Sequence, residues 1–242
     1  ANQTGAESLN PGEVSVDKHR SQYELRPGDT TDISLVVQAE GTTIPAVVDL
    51  VIVIDISNSM VNNTDTNGKT VMELTQEAAI SLANQILGGS SASRIALVRY
   101  GDFASVYDFT HGSWISLSDS TSNATLVGDD LYTSNLNAVT TRINNIRNNM
   151  VFGYERSGLS WNNITDQGGT TTEAGLILTN LVASEATHTS YAVFMSDGVP
   201  TSRMIGQNGE ANGLYGITRD GSGTLTSDAE KNESIAAAQS LA

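Results

Sequence analysis

Three short segments carry oxygen-bearing side chains where a folded sheet could make them converge. The first, Val51-Ile52-Val53-Ile54-Asp55-Ile56-Ser57-Asn58-Ser59-Met60, runs an apolar strand into an Asp-x-Ser-x-Ser turn and so sets a carboxylate and two hydroxyls at the strand's end. The second is Gly168-Gly169-Thr170, and the third is Phe194-Met195-Ser196-Asp197-Gly198. Hard cations such as Mg2+ take oxygen ligands in an octahedron, usually keep several waters, and need only one or two protein carboxylates. Asp55 and Asp197 supply carboxylates; Ser57, Ser59 and Thr170 supply neutral oxygens. Direct coordination by both carboxylates would cancel the charge of a dication. Holding one of them outside the coordination sphere leaves the ion electrophilic, with a position free for a carboxylate from elsewhere. The competing reading is local, with Asp55 capping the next helix and the serines making turn bonds. It leaves Thr170 and Asp197 unexplained.

The elements around these segments predict an α/β domain. Val47–Ile54 is apolar on both faces, as a central parallel strand covered by helices should be. Between 70 and 87, Val71, Leu74, Ala78, Leu82 and Ile86 recur at helical spacing, and Gly88-Gly89 gives a stop. Arg94–Tyr100 reads as a second strand and Ser105–Phe109 as a third, antiparallel at the sheet's edge. Residues 111–168 are polar and read as an insertion outside the core, with one amphipathic helix at about 135–149. A helix at Thr172–Ala183, a strand at Tyr191–Met195 and a Gly-rich loop over 198–226 follow. Ser227-x-x-Glu230 opens a helix expected to run to Ala242. Ahead of all this, 1–12 read as loose, and Glu13–Lys18, Gln22–Leu25 and Thr31–Ala39 as a small antiparallel β segment broken by Arg26-Pro27-Gly28-Asp29.

Composition excludes several functions. A net charge of −15, from 12 Lys and Arg against 27 acids, argues against nucleic acid and suits a cation site or basic partners. The absence of cysteine removes disulfides, thiolate metal sites and cysteine nucleophiles together. It fits a cytosolic protein and equally the surface of a Gram-positive bacterium. No apolar stretch is long enough to span a membrane. A dinucleotide enzyme would need Gly-x-Gly-x-x-Gly where Asp-Ile-Ser-Asn-Ser stands. A haloacid-dehalogenase-type phosphatase would need a second Asp at position 57, and a serine hydrolase would need Gly-x-Ser-x-Gly with a histidine base. His19 falls in the β segment, and His111 and His188 fall in polar loops where solvation is expected. Asp102 and the Gly128-Asp129-Asp130 run could attract a second cation or a basic ligand, with solvated loop acids as the favoured reading.

With these residues in place, the chain resembles a von Willebrand factor A domain with a metal-ion-dependent adhesion site. Asp55, Ser57 and Ser59 match the family's first element, Thr170 the second and Asp197 the third; Asn58 stands where Gly is frequent. The resemblance implies that Ser57, Ser59 and Thr170 coordinate directly or nearly so, and Asp55 and Asp197 directly or through water. It implies one divalent cation, Mg2+ first, with Mn2+ or Ca2+ as alternatives. It also implies a doubly wound, mostly parallel sheet with helices on both faces.

More narrowly, residues 13–242 resemble the tip adhesins of Gram-positive pili. That resemblance implies a cell-surface, non-enzymatic adhesion module at a pilus tip or cell wall. Its ligand would be a host matrix or surface protein of the collagen, fibronectin, laminin or mucin class, and a pilus backbone subunit would be a further partner. It divides the chain into 13–45, part of an immunoglobulin-like domain, and 46–242, the A domain with insertions at about 111–168 and 198–226. Lys18 becomes a candidate isopeptide lysine, with its acceptor beyond Ala242. Trp114, Tyr154, Trp161 and Tyr215 become candidate ligand-contacting aromatics, with packing inside the insertions as the competing reading. A scaffold subunit of an intracellular complex is the alternative function, and a metal-dependent hydrolase a distant third. The family sheet resembles five parallel strands and one antiparallel, against three parallel and one edge strand counted here. An incomplete fragment is therefore expected, with a second polypeptide covering the Tyr191–Met195 edge. Asp55→Ala is expected to abolish binding with little loss of fold, because the site should lie at the rim.

Overall fold

A computed structural model of the chain describes residues 14–20, 33–39, 47–90, 92–116, 126–148, 151–157, 160–165, 168–205, 218–220 and 226–240. The chain divides into two compact units, Ala1–Ala46 and Val47–Ala242. In the first, β1 (Val14–Arg20) pairs antiparallel with β2 (Ile33–Ala39), and Lys18 stands opposite Leu35. The Gln22–Leu25 segment lies outside the described residues.

The second unit is built on β3 (Val48–Asp55), in which every residue from Asp49 to Asp55 is buried. Such a strand needs neighbours on both sides and cover on both faces. After the short helix α1 (Ser59–Asn62) comes α2 (Val71–Gly89). Its start is set by a capping box: Thr70 accepts from the Glu73 N–H, while the Glu73 side chain accepts from the Thr70 N–H. Next come β4 (Arg94–Tyr100), β5 (Ala104–Asp108) and β6 (Ser113–Ser116). Helices α3 (Gly128–Leu131) and α4 (Leu136–Asn144) precede the hairpin of β7 (Val151–Ser157) and β8 (Ser160–Thr165). Then follow α5 (Thr172–Ser184), β9 (Thr189–Met195), β10 (Arg203–Ile205), β11 (Thr218–Asp220) and α6 (Asp228–Gln239).

The main sheet has the order β6-β5-β4-β3-β9. Strands β4 and β9 flank β3 in parallel, while β5 and β6 run antiparallel to their neighbours. This is an α/β fold with a mixed five-stranded sheet. Helix α5 lies so close to the sheet that a Cβ on Gly175 would press on the Tyr100 ring at 2.9 Å.

Four expectations need correction. The expected edge strand, β5, is interior, because the chain turns back at Gly112 (φ 71°) and adds β6 outside it. Residues 111–168 are not all outside the core: Leu131, Val139, Ile143 and Ile146 are fully buried in it. Apolar groups spaced along a polar segment still find the core because α3 packs on β5 and α4 on α2. The Gly-rich loop contains the β10–β11 pair. Finally, α6 closes at Gln239 with Ser240 as its C-cap.

Candidate metal centre

Asp55 ends β3 between β4 and β9, where strand order reverses; ligands of open α/β sheets bind outside such carboxyl ends. The Asp55 side chain is fully buried. Its Oδ1 accepts the Ser57 N–H at 2.8 Å, and its Oδ2 accepts the hydroxyls of Ser196 at 2.7 Å and Tyr100 at 3.3 Å. Register explains the Ser196 contact: Ile54 pairs with Met195, so the next residue on β9's side arrives level with Asp55. Outward from there, Ser57 Oγ lies 3.0 Å from Ser59 Oγ, and Ser59 Oγ donates to Asp197 Oδ1 at 2.9 Å. Asn63 Nδ2 donates to the other Asp197 oxygen at 3.3 Å. Four of the five sequence-predicted ligands thus stand in one series, from a buried carboxylate to an exposed one. The rim position belongs to Asp197; Asp55 lies in the interior, contrary to expectation, because β3 is central.

Thr170 arrives by its backbone. Asn58 N–H donates to the Gly168 carbonyl at 3.0 Å, which joins the two loops. Gly169 N–H donates to Asp102 Oδ1 at 3.1 Å, and Thr171 N–H to the Gly101 carbonyl at 2.7 Å. Thr170 N–H donates to Thr201 Oγ1 at 3.0 Å. Among the described residues its hydroxyl makes no hydrogen bond to the other four.

Asp102 is a neighbour of the site whose structural role the sequence did not show. It was expected in solvent, yet it is fully buried and holds the Gly169 amide. The available signal was its place just beyond the apolar Arg94–Tyr100 strand, comparable to Asp55's place at the end of β3.

Burial pushes the Asp55 carboxyl above the ordinary carboxylate range, against the pull of bonds from Ser57 and Ser196, and nearby Asp197 adds to the rise. Burial, then Asp55, pushes the Tyr100 phenol well above its usual value. Among the described residues no Lys, Arg or His pairs with Asp55. A buried carboxylate normally has a counter-charge. The five candidate side chains offer only oxygen atoms, and such a set suits a hard dication that would provide it.

A second group of ligand types lies elsewhere. Oxygens of Asp108 and Asp130 and a nitrogen of His111 all fall within 4.8 Å of one another. His111 is therefore not simply solvated: it pairs with Asp108 at 2.8 Å, which raises its pKa, though its side chain stays exposed. Because β5 runs antiparallel to β4, Asp108 lies toward the opposite end of the sheet from Asp55. His188 is also paired, with buried Asp49 at 3.0 Å.

Trp114 lies on β6, half-buried, with the Arg99 guanidinium 3.9 Å from its ring centre and Tyr107 edge-on at 5.0 Å. Tyr154 and Trp161 stand on β7 and β8, and Lys18 on β1, with side chains outside the described set; Tyr215 lies outside it altogether.

No protein-family model and no curated protein matches the chain significantly. Among solved structures, its neighbours are pilus proteins, including a von Willebrand factor domain of a pilus tip. The PilB minor pilin of Streptococcus sanguinis matches at TM-score 0.50 and 13% identity, over 98% of this chain and 65% of that one. The von Willebrand factor domain of the type V pili tip protein Mfa5 from Porphyromonas gingivalis matches at 0.42 and 19%, over 69% and 43%. The pilus adhesin RrgA of Streptococcus pneumoniae matches at 0.42 and 20%, over 82% and 26%. The chain thus spans less than half of the Mfa5 and RrgA structures. At these identities the likeness concerns fold alone. The neighbours come from Gram-positive and Gram-negative bacteria.

Proposed function

We propose that residues 47–242 form a cation-dependent adhesion module of a bacterial surface structure such as a pilus tip. One observation carries the reading: Asp55, buried and without a basic partner among the described residues, heads a series of oxygens that ends on exposed Asp197. Asp55, Ser57, Ser59, Thr170 and Asp197 would hold Mg2+, Mn2+ or Ca2+. The ion supplies positive charge to which a Glu or Asp carboxylate of a host matrix or surface protein binds.

The chain's own groups do the positioning. Tyr100 holds Asp55 from inside and Ser196 from the outer side, and Asn63 steadies Asp197 at the surface. The reading assigns binding and no catalysis. The test is binding of wild type and Asp55→Ala to immobilised collagen, fibronectin, laminin and mucin, with Mg2+ and with chelator. Chelator-sensitive binding lost in the variant is expected. Binding indifferent to both chelator and substitution would overturn the proposal.

A further inference from the structure

Two arginines outside the ligand set connect the α4 segment to the Asp-x-Ser-x-Ser loop. Arg99, on β4, is fully buried. Its Nη1 donates to the carbonyls of Ile146 and Asn148, both at 2.7 Å, and its Nε donates to Ser105 Oγ at 3.0 Å. Those two carbonyls flank residue 147, so the backbone that carries Arg147 is pinned on both sides. From there Arg147 Nη1 donates to the Ser57 carbonyl at 3.0 Å, and Nη2 to Asn58 Oδ1 at 3.4 Å.

Asn58 passes the contact on. Its N–H bonds the Gly168 carbonyl, and its side chain fills the space that a Cβ on Gly168 would need. Gly168 has φ +91°, a conformation that favours glycine. The Arg99-held turn, the serine loop and the Gly168-Gly169-Thr170 loop are thereby joined in series.

We infer that Arg147 is a positioning residue for the cation site: it clasps the Ser57–Asn58 segment and locks the two ligand-bearing loops together before any ion arrives. The inference rests on the proposed cation reading for its purpose, though not for the clasp itself. A guanidinium beside a dication site works against binding by charge. Its place there is explained if a fixed loop is worth more than the repulsion costs. Charge-assisted bonds to a carbonyl are about twice as strong as neutral ones, and an unheld loop must be ordered when the ion binds.

The test uses the whole chain and three variants, Arg147→Met, Arg147→Lys and Asp55→Ala. In chelator, amide hydrogen exchange of Arg147→Met should speed up at Ser57–Ser59 and Gly168–Thr170 while Ile52 and Leu97 keep their protection. Calorimetric Mg2+ affinity should fall about tenfold, the low end for loss of an outer partner of a metal ligand. Arg147→Lys should recover part of both effects.

Three results would overturn the clasp: unchanged loop exchange, tighter Mg2+ binding in Arg147→Met, or faster exchange throughout the core. The first denies the lock, the second leaves only a charge, and the third leaves only general support of the fold. Wild type that binds neither Mg2+ nor Mn2+, or Asp55→Ala that binds as well as wild type, would defeat the cation reading. Loop exchange would still decide the clasp in that case.

Discussion

Asp49 and Asp55 stand at opposite ends of β3, on the same face by the strand's alternation, and both are fully buried. Their surroundings differ completely. Asp49 receives Arg94 through Nε at 3.0 Å and Nη2 at 2.7 Å, His188 Nδ1 at 3.0 Å, and the N–H groups of Thr187 and His188. Burial alone would raise its pKa, but the bonds from Arg94, His188 and Thr187 outweigh it and hold the carboxyl well below the usual range. Asp55 has hydroxyls and one amide for company, with Asp197 adding repulsion, and burial wins. Asp49 is a finished structural anchor at the amino end of the sheet. Asp55 pairs with no Lys, Arg or His among the described residues, and it lies at the carboxyl end of the parallel strands.

The sharpest way to break this contrast is to neutralise each carboxylate in turn, in chelator. Asp49→Asn should cost about 3 kcal/mol in urea unfolding, because it takes the buried carboxylate from Arg94 and His188 and leaves the largely buried guanidinium only the exposed Asp129 as a charged partner. Asp55→Asn should be neutral or stabilising under the same conditions, yet lose all Mg2+-induced rise in Tm. A large loss from Asp55→Asn in chelator would show that the two ends are alike.

The pH dependence should separate them by sign. For Asp55, whose folded pKa is raised, the unfolded chain releases its proton first. Stability in chelator should therefore decline as pH rises from about 4 through the raised value. For Asp49 the folded pKa is depressed, so its contribution is present above about pH 4 and disappears as pH falls through the folded value. Unfolding titrations of wild type and the two Asn variants in chelator, compared pairwise across pH, measure each slope.

Gly168→Ala probes the join between the loops. A side chain at φ +91° that also meets Asn58 should cost about 1–2 kcal/mol or more and weaken Mg2+ binding. Thermal melts with and without Mg2+ would report both effects. The smallest effect belongs to Asp129→Asn at the amino end. Its carboxylate is exposed and only 3.1 Å from Arg94 Nη1, so its loss should cost less than about 1 kcal/mol by urea unfolding.

What could be read from the chain followed from local pattern. The apolar run of β3 required burial on both faces, and Thr70 with Glu73 set the start of α2. The Asp-x-Ser-x-Ser turn marked its candidate ligands because strand, turn and hydroxyls are contiguous. The Lys18 bond and the roles of Tyr154, Trp161 and Tyr215 remain proposals from resemblance.

The tertiary structure decided what spacing along the chain does not encode. Asp49, Asp55 and Asp102 are all buried acids, but only folding brings Arg94 and His188 to the first, Ser196 to the second and the Gly169 amide to the third. Arg147 reaches the Ser57 carbonyl across 90 residues of sequence because Arg99 holds its turn against the sheet. Residue type determined which groups could ligate a cation. Desolvation and distant partners determined that Asp49 pairs with Arg94 and His188 while Asp55, among the described residues, meets only hydroxyls and an amide, and both exist only once the chain has folded.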